Sequence, residues 1–112
     1  MKTLKEQQIE LVARFLMDEY GLNNTSLTFR HMTRTMGQYS KYRNRIQLST
    51  FFINNKSYRI MVNTILHEIA HALTPGHKHD QVWKAKAIEV GALPRATASD
   101  ELRLKWINKV TI

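Results

Sequence analysis

Between Ile60 and Leu73 the chain is apolar except for a single seam. On a helix turning about 100° per residue, Asn63, Thr64, His67, Glu68 and His71 share an arc of roughly 140°. The rest of the circumference is Met61, Val62, Ile65, Leu66, Ile69, Ala70, Ala72 and Leu73. This pattern predicts a helix inside the core that carries one polar stripe. Near the N-terminus, Ile9, Val12, Ala13, Leu16, Met17 and Tyr20 recur at helical spacing, Thr3 and Glu6 make a capping box, and Gly21 suits a C-cap. An amphipathic helix over about residues 4–20, covering one side of the core, is expected.

From Leu22 to Phe52 the period changes to two. Leu27 to Met32 alternates, Arg45 to Ser49 alternates again, and a turn is expected near Thr35-Met36-Gly37. These runs predict a small antiparallel sheet of about three strands, with Gly37 at a turn or bulge. Asn54-Asn55-Lys56-Ser57 supplies turn chemistry and an N-cap for the central helix, and Thr74-Pro75-Gly76 ends that helix. Asp80 can then cap a further helix with Val82, Trp83, Ala87 and Val90 facing inward and Gly91 closing it. After the loop Leu93-Pro94-Arg95, Thr97 or Ser99 can open a last helix carrying Leu102, Leu104, Trp106 and Ile107. The expected class is α+β.

With 112 residues and 43% hydrophobic content, the chain reads as one domain over residues 1–112 with one core. No cysteine is present, so disulfides, thiolate metal sites and cysteine nucleophiles are excluded. Seventeen Lys and Arg against nine Asp and Glu leave a charge of +8 spread along the chain. A polyanion such as DNA is a fitting partner, although a generally basic surface would have the same composition. The apolar stretches are too short to span a bilayer, and Met1-Lys2-Thr3-Leu4-Lys5-Glu6 lacks the apolar core of a signal peptide. A cytoplasmic protein without membrane contact is expected, and a monomer.

The seam carries the chemistry. His67 and His71 lie one turn apart in the motif His67-Glu68-Ile69-Ala70-His71, with a carboxylate beside them. Two converging neutral imidazoles, an open water position and a nearby glutamate to take the water's proton are what a catalytic zinc requires. A third ligand is needed, and His77 and His79 follow just beyond the helix break. Thr74 stands where an extended motif ending at His77 would place a turn-forming glycine, which weighs against His77. His79 lies one turn before Trp83, whose burial would fix its direction, so His79 is preferred and His77 is the substitute. Glu68, on the adjacent side of the stripe, is the general base for amide hydrolysis. Tyr39, Tyr42 and Arg43 are open alternatives for supporting the oxyanion. Asn63 and Thr64 are either partners of the ligands or polar lining.

Gln38 to Arg45 interleaves Lys41, Arg43 and Arg45 with Tyr39 and Tyr42. Stacking tyrosines beside phosphate-pairing cations suit single-stranded nucleic acid, so Lys41, Tyr42, Arg43 and Arg45 are candidate contacts. The same cations would also blunt an exposed edge strand.

The stretch Thr64 to Leu73 followed by His79-Asp80-Gln81-Val82-Trp83-Lys84 resembles the SprT-like metallopeptidases, with Gly37-Gln38-Tyr39 and Ile46-Gln47-Leu48-Ser49 resembling the strand pair before their active-site helix. The resemblance covers about residues 25–92. It implies a compact zincin-like domain, a Zn2+ ion held by His67, His71 and His79, and Glu68 as general base. It also implies an endopeptidase and, in the Spartan branch, cleavage of proteins crosslinked to DNA. Asp80 departs from the family's glycine after the third histidine, and the chain lacks the cysteine zinc ribbon that many members carry. A basic nucleic-acid-binding module with a structural or silent zinc is the competing expectation.

Overall fold

A computed structural model describes residues 1–94. Its elements are α1 (Leu4–Glu19), β1 (Ser26–Arg30), β2 (Gly37–Ser40), β3 (Arg45–Ser49), α2 (Thr50–Asn55), α3 (Tyr58–Leu73) and α4 (Gln81–Val90). The last helix expected from Thr97 or Ser99 lies outside the described residues.

Half of the expected capping box forms at α1. Thr3 Oγ1 accepts from Glu6 N–H at 3.1 Å, but the Glu6 carboxylate accepts from Asn54 Nδ2 at 2.6 Å and so ties α1 to α2. Ile9, Ala13 and Met17 of α1 are fully buried, at i, i+4 and i+8. Ser57 N-caps α3 by accepting from Ile60 N–H at 3.3 Å, as its position before the apolar run requires.

The sheet corrects the antiparallel expectation: it is mixed, in the order β1-β3-β2. β2 and β3 form an antiparallel hairpin through residues 41–44, where Asn44 takes a φ of +48°. β1 pairs in parallel with β3, Leu27 opposite Ile46 and Phe29 opposite Leu48. Residues 31–36 are long enough to carry β1 past the edge, which leaves β3 in the centre. Because β3 is central, its Gln47 and Ser49 are buried along with Ile46 and Leu48, and both are satisfied. Gln47 accepts from Gln38 Nε2 at 3.0 Å and donates to Thr28 Oγ1 at 3.2 Å, a polar rung across all three strands. Ser49 Oγ donates to Met32 O and N-caps α2, a short helix that the sequence pattern did not predict.

The helix α3 runs through the middle of the domain, between α1, α4 and the sheet. Met61, Ile65 and Ile69 are fully buried with Ile46, Leu48, Trp83 and Ala87. Each large apolar side chain so buried contributes about 1.5–3 kcal/mol relative to exposure. In α4, Trp83, Ala87 and Val90 face the core as expected, whereas Val82 is 48% exposed because it lies one step off the i, i+4, i+7 stripe. Gly91 closes α4 at a φ of +94°. Among the described residues, no helix is long and apolar enough to cross a membrane.

Gly37 is the first residue of β2, neither a turn nor a bulge. A Cβ there would lie 3.0 Å from Thr64 Cγ2 and 3.1 Å from Leu48 Cδ2. The absence of a side chain lets β2 sit directly against α3.

Candidate metal centre

The seam of α3 opens into a cleft of about 520 Å³. His67, Glu68 and His71 form its floor. Gly37, Gln38, Tyr39 and Lys41 of the β2 side make one wall, and Gly76, His77, Lys78 and His79 of the loop after α3 make the other. That loop turns back through Gly76 at a φ of +88° and reaches α4 through His79 at +56°, an uncommon conformation for a residue with a side chain.

The three predicted imidazoles converge. His79 Nε2 lies 3.0 Å from His71 Nε2 and 3.2 Å from His67 Nε2. Two nitrogens bonded to one ion at about 2.0–2.1 Å with tetrahedral angles would stand about 3.3 Å apart. Burial holds His71 below the usual imidazole range, with His79 beside it acting in the same direction, and burial also lowers His79. Lowered rings are neutral near pH 7 and present lone pairs. One proton can bridge two such nitrogens but not three, whereas a divalent cation satisfies all of them, so the donor set fits a metal. The backbone carbonyl of His77 accepts from the His71 ring and fixes its orientation from behind.

His77 is not part of this cluster. Its Nδ1 lies 2.7 Å from Asp80 Oδ2, and its side chain is 41% exposed. The other oxygen of Asp80 accepts from Trp83 N–H at 3.0 Å and caps α4. Asp80 has a φ of −84°, ordinary for any residue, so the departure from glycine at this position carries no backbone cost.

Glu68 is buried on the seam beside the triad. Burial pushes its carboxyl up to about 8, and the Tyr39 backbone N–H, which donates to it, pulls the other way. His67 Nε2 stands 3.8 Å from Glu68 Oε2, beyond hydrogen-bond reach. The carboxyl takes the Tyr39 N–H and lines the cleft.

Of the candidates for oxyanion support, Tyr39 lines the cleft while Tyr42 and Arg43 do not. Asn63 and Thr64 are neither ligand partners nor cleft lining. Asn63 Oδ1 accepts from Leu93 N–H at 3.0 Å, and Thr64 Oγ1 donates to Ile60 O at 3.1 Å while its methyl meets β2. Lys41, Tyr42 and Arg43 sit exposed on the β2–β3 turn, Tyr42 with 97% of its surface free, and Arg45 begins β3. Of these four only Lys41 reaches the cleft. Thr35, Gln38 and Lys78 also line it, without any pattern in the sequence to single them out.

The fold is that of known metallopeptidase structures. The zymogen of Methanocaldococcus jannaschii jannalysin superposes with a TM-score of 0.66 at 17% identity, covering 92% of this chain and 97% of its own. The zymogen of Pyrococcus abyssi abylysin superposes at 0.65 and 18% identity, covering 91% of this chain and 94% of its own. Among curated proteins, none matches. The model of the SprT-like family matches residues 5–102, and the chain belongs to that family.

Proposed function

We propose that this protein is a zinc-dependent endopeptidase that cleaves proteins held on DNA. The observation that carries the peptidase reading is the convergence of His67, His71 and His79 in a cleft floored by the buried carboxyl of Glu68. A structural metal has no use for such a neighbour. Membership of the SprT-like family and the likeness to two metallopeptidase zymogens support it further.

An all-imidazole donor set without thiolates suits zinc. Bound there, zinc would supply a Lewis acid for a scissile carbonyl and make water acidic enough to react near neutral pH. Glu68 as carboxylate takes the proton of the attacking water and delivers it to the leaving amine. Burial raises this carboxyl to about 8 in the metal-free chain, and a dication bound beside it would favour the ionised form that accepts the proton. β2 is an edge strand whose Gly37, Gln38 and Tyr39 line the cleft, so an extended substrate can align along it. Of the candidates for oxyanion support, Tyr39 is the one that lines the cleft.

The nucleic-acid part of the proposal rests on the exposed Lys41-Tyr42-Arg43 turn with Arg45 beside it, next to the cleft through Lys41, and on a charge of +8. Cleavage of casein or of a protein carried on single-stranded DNA, compared between the wild type and Glu68→Gln, tests both parts. Zinc-dependent cleavage lost in Glu68→Gln and stimulated by DNA is expected. Cleavage equal with and without DNA would remove the DNA part. Zinc bound by both proteins with no cleavage by either would favour the binding module.

A further inference from the structure

Trp83 is fully buried and heads the largest side chains of the core. Its surroundings are unusual for a core residue, because its ring lies against all three imidazoles of the triad. The ring centroids are 4.7 Å from His67, 5.1 Å from His71 and 4.6 Å from His79. The contacts differ in kind: nearly parallel to His71 at 28°, steeply inclined to His67 at 61° and perpendicular to His79 at 89°. One rigid indole thus restricts the rotation of three rings from different directions.

The indole Nε1 has no acceptor among the described residues. Buried indoles ordinarily find one, so this position makes use of the flat ring and not of its N–H. The ring itself is firmly held: Asp80 accepts the Trp83 N–H, and Ala87 and Val90 continue the same buried stripe of α4. Four residues earlier, His79 keeps a φ of +56°, a conformation that persists only where its surroundings enforce it. The edge contact with Trp83 supplies part of that enforcement.

We propose that Trp83 is a positioning residue of the metal centre, bracing His67, His71 and His79 so that their Nε2 atoms converge before an ion arrives. The inference rests on the metal-binding reading of the triad and goes beyond it, since the ligands alone do not require an aromatic floor. Ordering the imidazoles in the folded chain spares the ion that cost, which raises affinity.

The test compares the wild type with Trp83→Phe and Trp83→Leu in three measurements: zinc affinity by competition with a chromogenic chelator, the visible spectrum of the cobalt-substituted protein, and ring-nitrogen NMR of the metal-free histidines. Trp83→Leu should weaken zinc by about 10- to 100-fold, as loss of a residue that orients ligands does. It should also shift the cobalt bands and average the tautomer signals of metal-free His67, His71 and His79, while unfolding stays cooperative. Trp83→Phe should keep ordered signals and restore the affinity and the bands. A cooperatively folded Trp83→Leu with wild-type zinc affinity and ordered rings would overturn the proposal. If Trp83→Leu does not fold, Trp83→Met takes its place, and wild-type zinc affinity with ordered rings in that variant would overturn it. A wild type that binds no zinc would refute the metal reading. The metal-free spectra would still support the brace if ring order is lost in Trp83→Leu, and refute it if order persists.

Discussion

Replacing Gly37 with alanine should destabilise the domain and disturb the cleft together. A glycine-to-alanine change that fits its site stabilises by about 0.4–1 kcal/mol, because the unfolded chain loses freedom. Gly37 has no left-handed φ to defend, so the backbone raises no objection. The obstacle is space: the new methyl would meet Thr64 Cγ2 at 3.0 Å, Leu48 Cδ2 at 3.1 Å and the Gln47 carbonyl at 3.4 Å. The first two belong to side chains on buried faces of α3 and β3, and the third is backbone. None can retreat without moving the strand or the helix, and such overpacking costs about 1–3 kcal/mol. The steric cost exceeds the entropic gain, leaving a net loss of about 1 kcal/mol and a fall in Tm of about 4 °C for a domain of this size. Because the strand that moves carries the Tyr39 N–H to Glu68, peptidase activity of the zinc-loaded protein should fall further than stability does. Urea denaturation of the metal-free protein measures the first effect and casein hydrolysis the second. A Gly37→Ala variant as stable as the wild type, or more so, would show that β2 does not press on α3 as described.

His79→Ala should abolish stable zinc binding, whereas His77→Ala should leave one zinc per chain, because the His77 ring is turned to Asp80; metal analysis after dialysis distinguishes them. The metal-free protein should also show opposed pH effects. The Glu68 carboxyl is raised from 4.5 to about 8, so its contribution to stability is full below pH 4.5 and is lost as pH rises through about 8. His71 and His79 are lowered from 6.5, so their contribution is full above that value and is lost as pH falls through the folded-state value. Metal-free Glu68→Gln should therefore gain stability relative to the wild type as pH rises from 4.5 to about 8, read from urea midpoints; a difference independent of pH would contradict the burial of the carboxyl.

The site was legible where local spacing dictates geometry. His67, Glu68 and His71 follow from helical period alone, and Asp80 capping α4 placed His79 one turn before Trp83. Helix ends were legible for the same reason: Thr3, Ser57 and Gly91 act within one turn of themselves. The sheet was legible only in part. Alternation marks Arg45 to Ser49 as a strand but does not say which strands flank it, and the parallel β1–β3 pairing depends on where residues 31–36 carry the chain. The buried Gln47 and Ser49 look like a solvent-facing set until Gln38, Thr28 and Met32 are seen beside them. The short helix α2 has too few residues for a period. The contact of Trp83 with His67 and His71 joins two helices, and no sequence interval encodes it.

The central claim is that His67, His71 and His79 hold one ion through Nε2. X-ray absorption at the zinc edge of the reconstituted protein tests it most directly. The account predicts one zinc per chain with three imidazole nitrogens at about 2.0–2.1 Å, kept in His77→Ala, and no zinc retained by His79→Ala. A zinc shell without three imidazoles, or one unchanged by His79→Ala, would contradict it.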